Sequence, residues 1–190
     1  MQGGARTMLS PIKTMFQHFP LRAYTTVLVL VLISWYTFRK IRQRCQAGTL
    51  DKRRGISGWL LINYIMVLLF LTVLGRRSLD YVRYNSEAFY SYRDVLVRGD
   101  PDVAIQIVMN ILVFVPVGIL GSFVAMRWRF LKGLLLGAGL SVCIEALQLV
   151  LRNGTCELDD LISNTIGTSC GCIVVIMWLN LRNKKLQSPE

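Results

Sequence analysis

The sequence predicts an all-α, polytopic integral membrane bundle of five transmembrane helices. Three observations carry that reading. Hydrophobic residues make up 53% of the chain and charged residues only 17%. The apolar residues gather into several runs of about twenty, long enough to cross a bilayer as helices. The basic residues, which give a net charge of +11, sit at the ends of those runs, where orientation signals belong. A chain of 190 residues has room for one membrane domain and none for a separate soluble catalytic domain. The placement of the bases also argues against nucleic acid as a partner and for membrane lipids. Five cysteines, Cys45, Cys143, Cys156, Cys170 and Cys172, form no CxxC pair, so neither a zinc site nor a disulfide framework is indicated. They read as small apolar packing residues.

Residues 1–20 contain Pro11, Pro20 and the only histidine, His18, and read as a tail. Leu21–Phe38 is the first span, ending in the interfacial anchors Trp35 and Tyr36. A strongly basic loop follows, so that residues 21–56 form an N-terminal helix plus a cytoplasmic loop. A signal peptide is the competing reading, but the stronger positive charge follows the apolar run and no small-residue cleavage site is evident. Ser57–Leu74 is the second span. Gly75–Asp102 has mixed charge, and its Phe89, Tyr90 and Tyr92 suit a membrane surface. Val103–Val124 is the third span, with Pro116 freeing the carbonyl of Leu112 and kinking the helix. Leu131–Leu151 is the fourth and Leu161–Asn180 the fifth, joined by Arg152–Asp160. Residues 182–190 form a basic tail. Segments assigned to the cytoplasm hold 13 Lys and Arg, those assigned outside hold 9, which favours the N-terminus outside and the C-terminus in the cytoplasm over the inverted orientation, which stays open. Gly133 with Gly137, and Gly167 with Gly171, form two GxxxG pairs. They let the fourth and fifth spans approach a neighbour closely, or reflect only the general frequency of small residues in membrane helices.

Polar residues inside these spans carry the functional reading. Ser141, Glu145 and Gln148 share one helical face. A carboxylate at such a position is costly in lipid and calls for an inward-facing role with a partner. Asn110, Glu145 and Asn164 all lie roughly 6–11 Å below the outer surface at 1.5 Å per residue, beneath a loop holding Glu157, Asp159 and Asp160. Arg76 or Arg77, at the outer end of the second span, is the cation placed to reach them. Asn110, Gln148 and Asn164 can each donate and accept hydrogen bonds, and so read either as glue between helices or as contacts to a ligand. Asp159 and Asp160, with Glu145, are hard-oxygen candidates for Mg²⁺ or another divalent cation; no other cofactor is indicated. Asp160 reads equally well as the cap of the fifth helix.

Three motifs taken together resemble one family. Asn110 through Pro116 to Gly118, Glu145-x-x-Gln148, and Glu157-x-Asp159-Asp160-x-x-x-Asn164-Thr165-x-Gly167 are similar, in order and spacing, to the VanZ-like bacterial membrane proteins. The stretch from Thr72 to Arg76 resembles an early motif of that family. The resemblance covers residues 57–181 as a four-helix core and leaves the first span and basic loop outside. It implies a multi-pass protein of the bacterial cell membrane in which Arg76, Asn110, Glu145, Gln148, Asp159, Asp160 and Asn164 form the functional set. Arg152 and Asn153 leave the register of a basic residue common before the acidic motif unassigned.

The resemblance implies a contribution to resistance against the glycopeptide teicoplanin. The outer depth of the polar cluster suggests an outward-opening pocket for a cell-wall precursor, a lipid headgroup or the antibiotic. Two alternatives remain open at this point. One is an intramembrane enzyme acting on a lipid or peptidoglycan precursor, with Glu145 as general acid or base and a cation at Asp159 and Asp160. The other is a small proton-coupled transporter, disfavoured by the apolar inner halves of the third and fourth spans.

Overall fold

The computed structural model describes residues 21–74 and 83–187. The tail with His18, the cations Arg76 and Arg77, and the last three residues lie outside the described residues. The elements are α1 (Leu21–Gln46), α2 (Lys52–Leu69) continuing into a π-helical turn (Phe70–Leu74), β1 (Arg83–Asn85), α3 (Tyr90–Arg98), α4 (Pro101–Val124), α5 (Arg129–Leu151), β2 (Thr155–Glu157) and α6 (Leu158–Gln187).

Among the described residues, four helical stretches are long and apolar enough to cross a membrane: Lys52–Leu74, Pro101–Val124, Arg129–Leu151 and Leu158–Lys185. They correspond to the second to fifth predicted spans. The first predicted span, within α1, is not one of the four. It lies against α2, where Trp59 Nε1 donates to the Ser34 carbonyl at 3.2 Å and the Phe38 and Trp59 rings meet edge to face at 5.4 Å.

Local chemistry sets the helix ends. Asp51 caps α2 by accepting from the Arg54 backbone N–H at 3.2 Å. Asp100 caps α4 by accepting from the Asp102 N–H at 2.9 Å, with Pro101 at the first helical position, where its missing N–H costs nothing. Gly99 ends α3 in the left-handed region, at φ +67. Within α4, Pro116 withdraws the N–H that Leu112 would receive. The Tyr64 hydroxyl donates to the next carbonyl, Val113, at 2.7 Å.

Helix α6 is the central element, packed on both α4 and α5. Its contact with α4 is backbone to backbone. A side chain at Gly118 would strike the Thr168 carbonyl, at Gly167 the Ile111 carbonyl, and at Gly171 the Val115 carbonyl. On α5, Gly137 faces the Thr168 side chain, and Gly133 faces Cys172 Sγ and Ser122 Oγ. Both GxxxG pairs therefore mark close approach, the packing that replaces a hydrophobic driving force between helices in lipid. A small apolar cluster of Leu61, Leu68, Val73, Phe114, Val117 and Ile144 joins α2, α4 and α5 on the other side.

Two features of the loops differ from the sequence reading. The mixed-charge segment Gly75–Asp102, read as a loop, contains α3, and β1 pairs in parallel with β2 through Arg83 with Thr155, Tyr84 with Cys156, and Asn85 with Glu157. The backbones of these two loops thus pair with each other. Three-residue strands are too short for alternation to reveal them.

The glycine contacts yield a direct test. Replacing Gly171 by Leu forces α4 and α6 apart and should destabilise the detergent-solubilised protein by about 1–3 kcal/mol. Gly139→Leu on α5, where nothing lies within 4 Å, should leave the unfolding temperature nearly unchanged. Equal effects of the two substitutions would contradict the packing.

Candidate functional site

The buried face of α5 presents Ser141, Glu145 and Gln148 in that order. Each is anchored to a different element. The Asn164 amide Nδ2 donates to Ser141 Oγ at 2.8 Å. Glu145, only 8% exposed, accepts at Oε2 from the Glu157 backbone N–H at 3.0 Å. Gln148 Nε2 donates to the Thr72 carbonyl at 3.0 Å, and one turn further on Asn153 Nδ2 donates to the Val73 carbonyl. These last two bonds tie the π-helical turn to α5. A π-helical turn departs from the regular α ladder, and the amides of Gln148 and Asn153 take up carbonyls within it.

The acids divide by task. Asp159 is almost fully buried, and its two oxygens accept from the backbone N–H groups of Phe89 at 2.6 Å and Ser91 at 2.7 Å. It caps α3 from a different helix, which explains how a nine-residue helix with no capping side chain of its own holds its place. Tyr92 and Ser163, with hydroxyl oxygens 2.7 Å apart, add a second tie between the same elements. Asp160 faces the opposite neighbour, where Asn110 Nδ2 donates to its Oδ1 at 2.6 Å.

The structure thus brings Asn110, Glu145, Gln148, Asp159, Asp160 and Asn164 to one end of the bundle, through contacts that all pass through α5, β2 or the start of α6. Asn110, Glu145 and Asn164 each hydrogen-bond to a separate partner: Asp160, the Glu157 N–H and Ser141. Among the described residues, no group of three or more His, Cys, Asp or Glu could hold a metal ion, and both oxygens of Asp159 are already engaged by backbone. Asn164 Oδ1 is buried with no hydrogen-bond partner.

Beside this cluster lies a groove of 480 Å³ walled by Val142, Glu145, Leu149, Cys156 and Leu161, with Tyr84 and Asn85 of β1 at its rim. Its walls are mostly apolar, with the Glu145 carboxyl set into them. A larger groove of 610 Å³ between α1 and α2 is lined by Trp35, Trp59 and Phe70 and is faced by no carboxylate. The polar cluster therefore directs attention to the smaller one.

A family model described as VanZ/LLP1 matches residues 26–179. The chain belongs to the VanZ/LLP1 family. The match begins inside α1, so the first helix and the basic turn after it fall within the family region, beyond the core that the motifs alone delimit. Comparisons with curated proteins and with solved structures give no match. The fold class and the family together make this VanZ/LLP1 chain a multi-pass membrane protein.

Two site residues escape sequence reasoning. Cys156, grouped there with packing cysteines, stands on β2 and lines the groove together with Glu145. Burial pushes its thiol pKa up, and the nearby charges of Glu145, Asp160 and Glu157 push it further. Its position between Thr155 and Glu157 in an acidic turn was the available signal. Asn153 clamps the π-helical turn, a role that depends wholly on a partner 80 residues away.

Glu157, in the same turn, has its pKa raised above the ordinary 4.5, first by burial and then by the charges of Asp160 and Asp159. A carboxyl raised on folding binds its proton more tightly in the folded state. It stabilises that state below 4.5, and the contribution is lost as pH rises through the elevated value. The unfolding temperature should therefore fall as the pH rises above 4.5, and less steeply in Glu157→Gln. Parallel pH profiles for the two proteins would contradict the assignment.

Proposed function

We propose that this VanZ/LLP1 chain is a bacterial envelope protein that lowers susceptibility to teicoplanin by binding an amphiphile in the groove beside Glu145. The observation that carries the reading is the placement of a buried carboxyl, fixed by the Glu157 N–H, in the wall of a mostly apolar groove. Such a site suits a ligand with a hydrocarbon chain and a hydrogen-bonding headgroup. A lipid-linked cell-wall precursor and an acylated glycopeptide both have that form. Glu157, which also lines the groove, favours a headgroup rich in hydroxyl, amide or amine donors.

Binding is favoured over turnover by the state of the hydroxyl and thiol near Glu145. Ser141 is fully buried and engaged by Asn164, and the Cys156 thiol is held protonated by its surroundings. A transporter is disfavoured because α4 and α6 close on each other through glycine contacts below the cluster. In this reading α1 is a fifth span. Val27, Leu28, Val31 and Leu32 are more than 45% exposed, and lipid is the solvent that suits such a surface. The N-terminus is then outside, as is the acidic turn.

Expression of the chain in a teicoplanin-susceptible bacterium should raise the inhibitory concentration several-fold. Glu145→Gln, which removes the charge, and Ala146→Trp, which fills the groove, should each abolish the increase at normal membrane levels. Full protection by both variants would overturn the proposal.

A further inference from the structure

The opposite end of the bundle holds a second built feature. Between the start of α2, the α4–α5 turn and the first turns of α5 lies a groove of 560 Å³. Its mouth carries Arg54, Arg127 and Lys132, and its depth is lined by Leu61, Val124 and Leu136. The neighbouring cations are already engaged. Arg53 and Arg182 lie over the Trp178 ring, and Arg129 donates to the Ser122 carbonyl at 2.8 Å. The acid closest in sequence, Asp51, caps the α2 backbone. The two ion pairs formed among the described residues are Arg93 with Glu87 and Arg98 with Asp94, both on the far side of the bundle. The side chains of Arg54, Arg127 and Lys132 thus face one opening with neither a carboxylate nor a hydrogen-bond partner among the described residues.

Three like charges around one mouth repel unless an anion joins them. An apolar channel behind them excludes a small hydrated anion as the full occupant and matches a hydrocarbon chain. Basic pockets between membrane helices hold lipid headgroups by this combination. We infer that the groove is a binding site for an anionic phospholipid, with the phosphate at Arg54, Arg127 and Lys132 and an acyl chain along Leu61, Val124 and Leu136. The site is separate from the Glu145 groove and stands whether or not that groove binds a ligand.

Native mass spectrometry of the full chain in detergent, titrated with phosphatidylglycerol or phosphatidylcholine, tests this. The wild-type protein should retain phosphatidylglycerol several-fold better. Arg54→Gln/Arg127→Gln/Lys132→Gln should lose the preference. Arg39→Gln/Lys40→Gln/Arg44→Gln, which removes the same charge from α1, should keep it. Leu136→Trp, which fills the groove and leaves every cation in place, should also weaken retention. Equal loss in the two triple variants would reduce the effect to general surface charge and overturn the site. So would retention unaffected by Leu136→Trp, or displacement of the lipid by inorganic phosphate at matching concentration. Should the triple variant fail to fold, Arg127→Gln alone, in the exposed turn, reads the same preference.

Discussion

The close approach of α4 and α6 is the constraint on which the rest of the structure depends. Gly118, Gly167 and Gly171 remove the side chains that would hold the two backbones apart. In a lipid environment, where burying apolar surface against another helix gains little over burying it in acyl chains, such contact is a main source of cohesion. Its geometric consequence is equally important. Beyond the contact of Gly167 with Ile111, Asn110, one residue before Ile111, and Asp160, seven residues before Gly167, meet through their side chains.

From that register the remaining polar contacts follow. The first turn of α6 points one acid at α3 and the next at α4, since successive residues on a helix are about 100° apart. Asn164, one turn on from Asp160, meets Ser141 of α5, and the chain just before α6 offers the Glu157 N–H to Glu145. One helix end thereby organises three others. Burial first, and then the neighbouring acids, raise the pKa of Glu157 and of the Cys156 thiol. Natural membrane helices seldom keep such groups without a use, and the proposed ligand groove lies beside Glu145.

The four apolar spans, the buried face of Glu145 and Gln148, and the small-residue pairs were legible in the sequence. Each follows from local composition or from helical periodicity, which one segment alone reveals. The pairing of β1 with β2 and the capping of α3 by Asp159 were not, because each joins residues about 70 apart in the chain. The capping role of Asp159 is a case in point. The sequence marks it as an acid near a helix start, and either a cation or the dipole of its own helix explains that placement equally well. Only the tertiary contact shows its oxygens turned to the backbone of another helix. Cys156 was obscured for a related reason: a three-residue strand has no periodicity of its own, so its facing toward Glu145 depends on the partner strand.

The central claim is that separate helices converge in a single polar cluster, and the bond between Asn110 and Asp160 is its most exposed link. A double-mutant cycle on Asn110→Ala and Asp160→Ala, read by unfolding of the protein in nanodiscs, measures that link directly. The account predicts a coupling of about 0.5–3 kcal/mol between the two positions. Strictly additive effects, with both single variants folded, would contradict it.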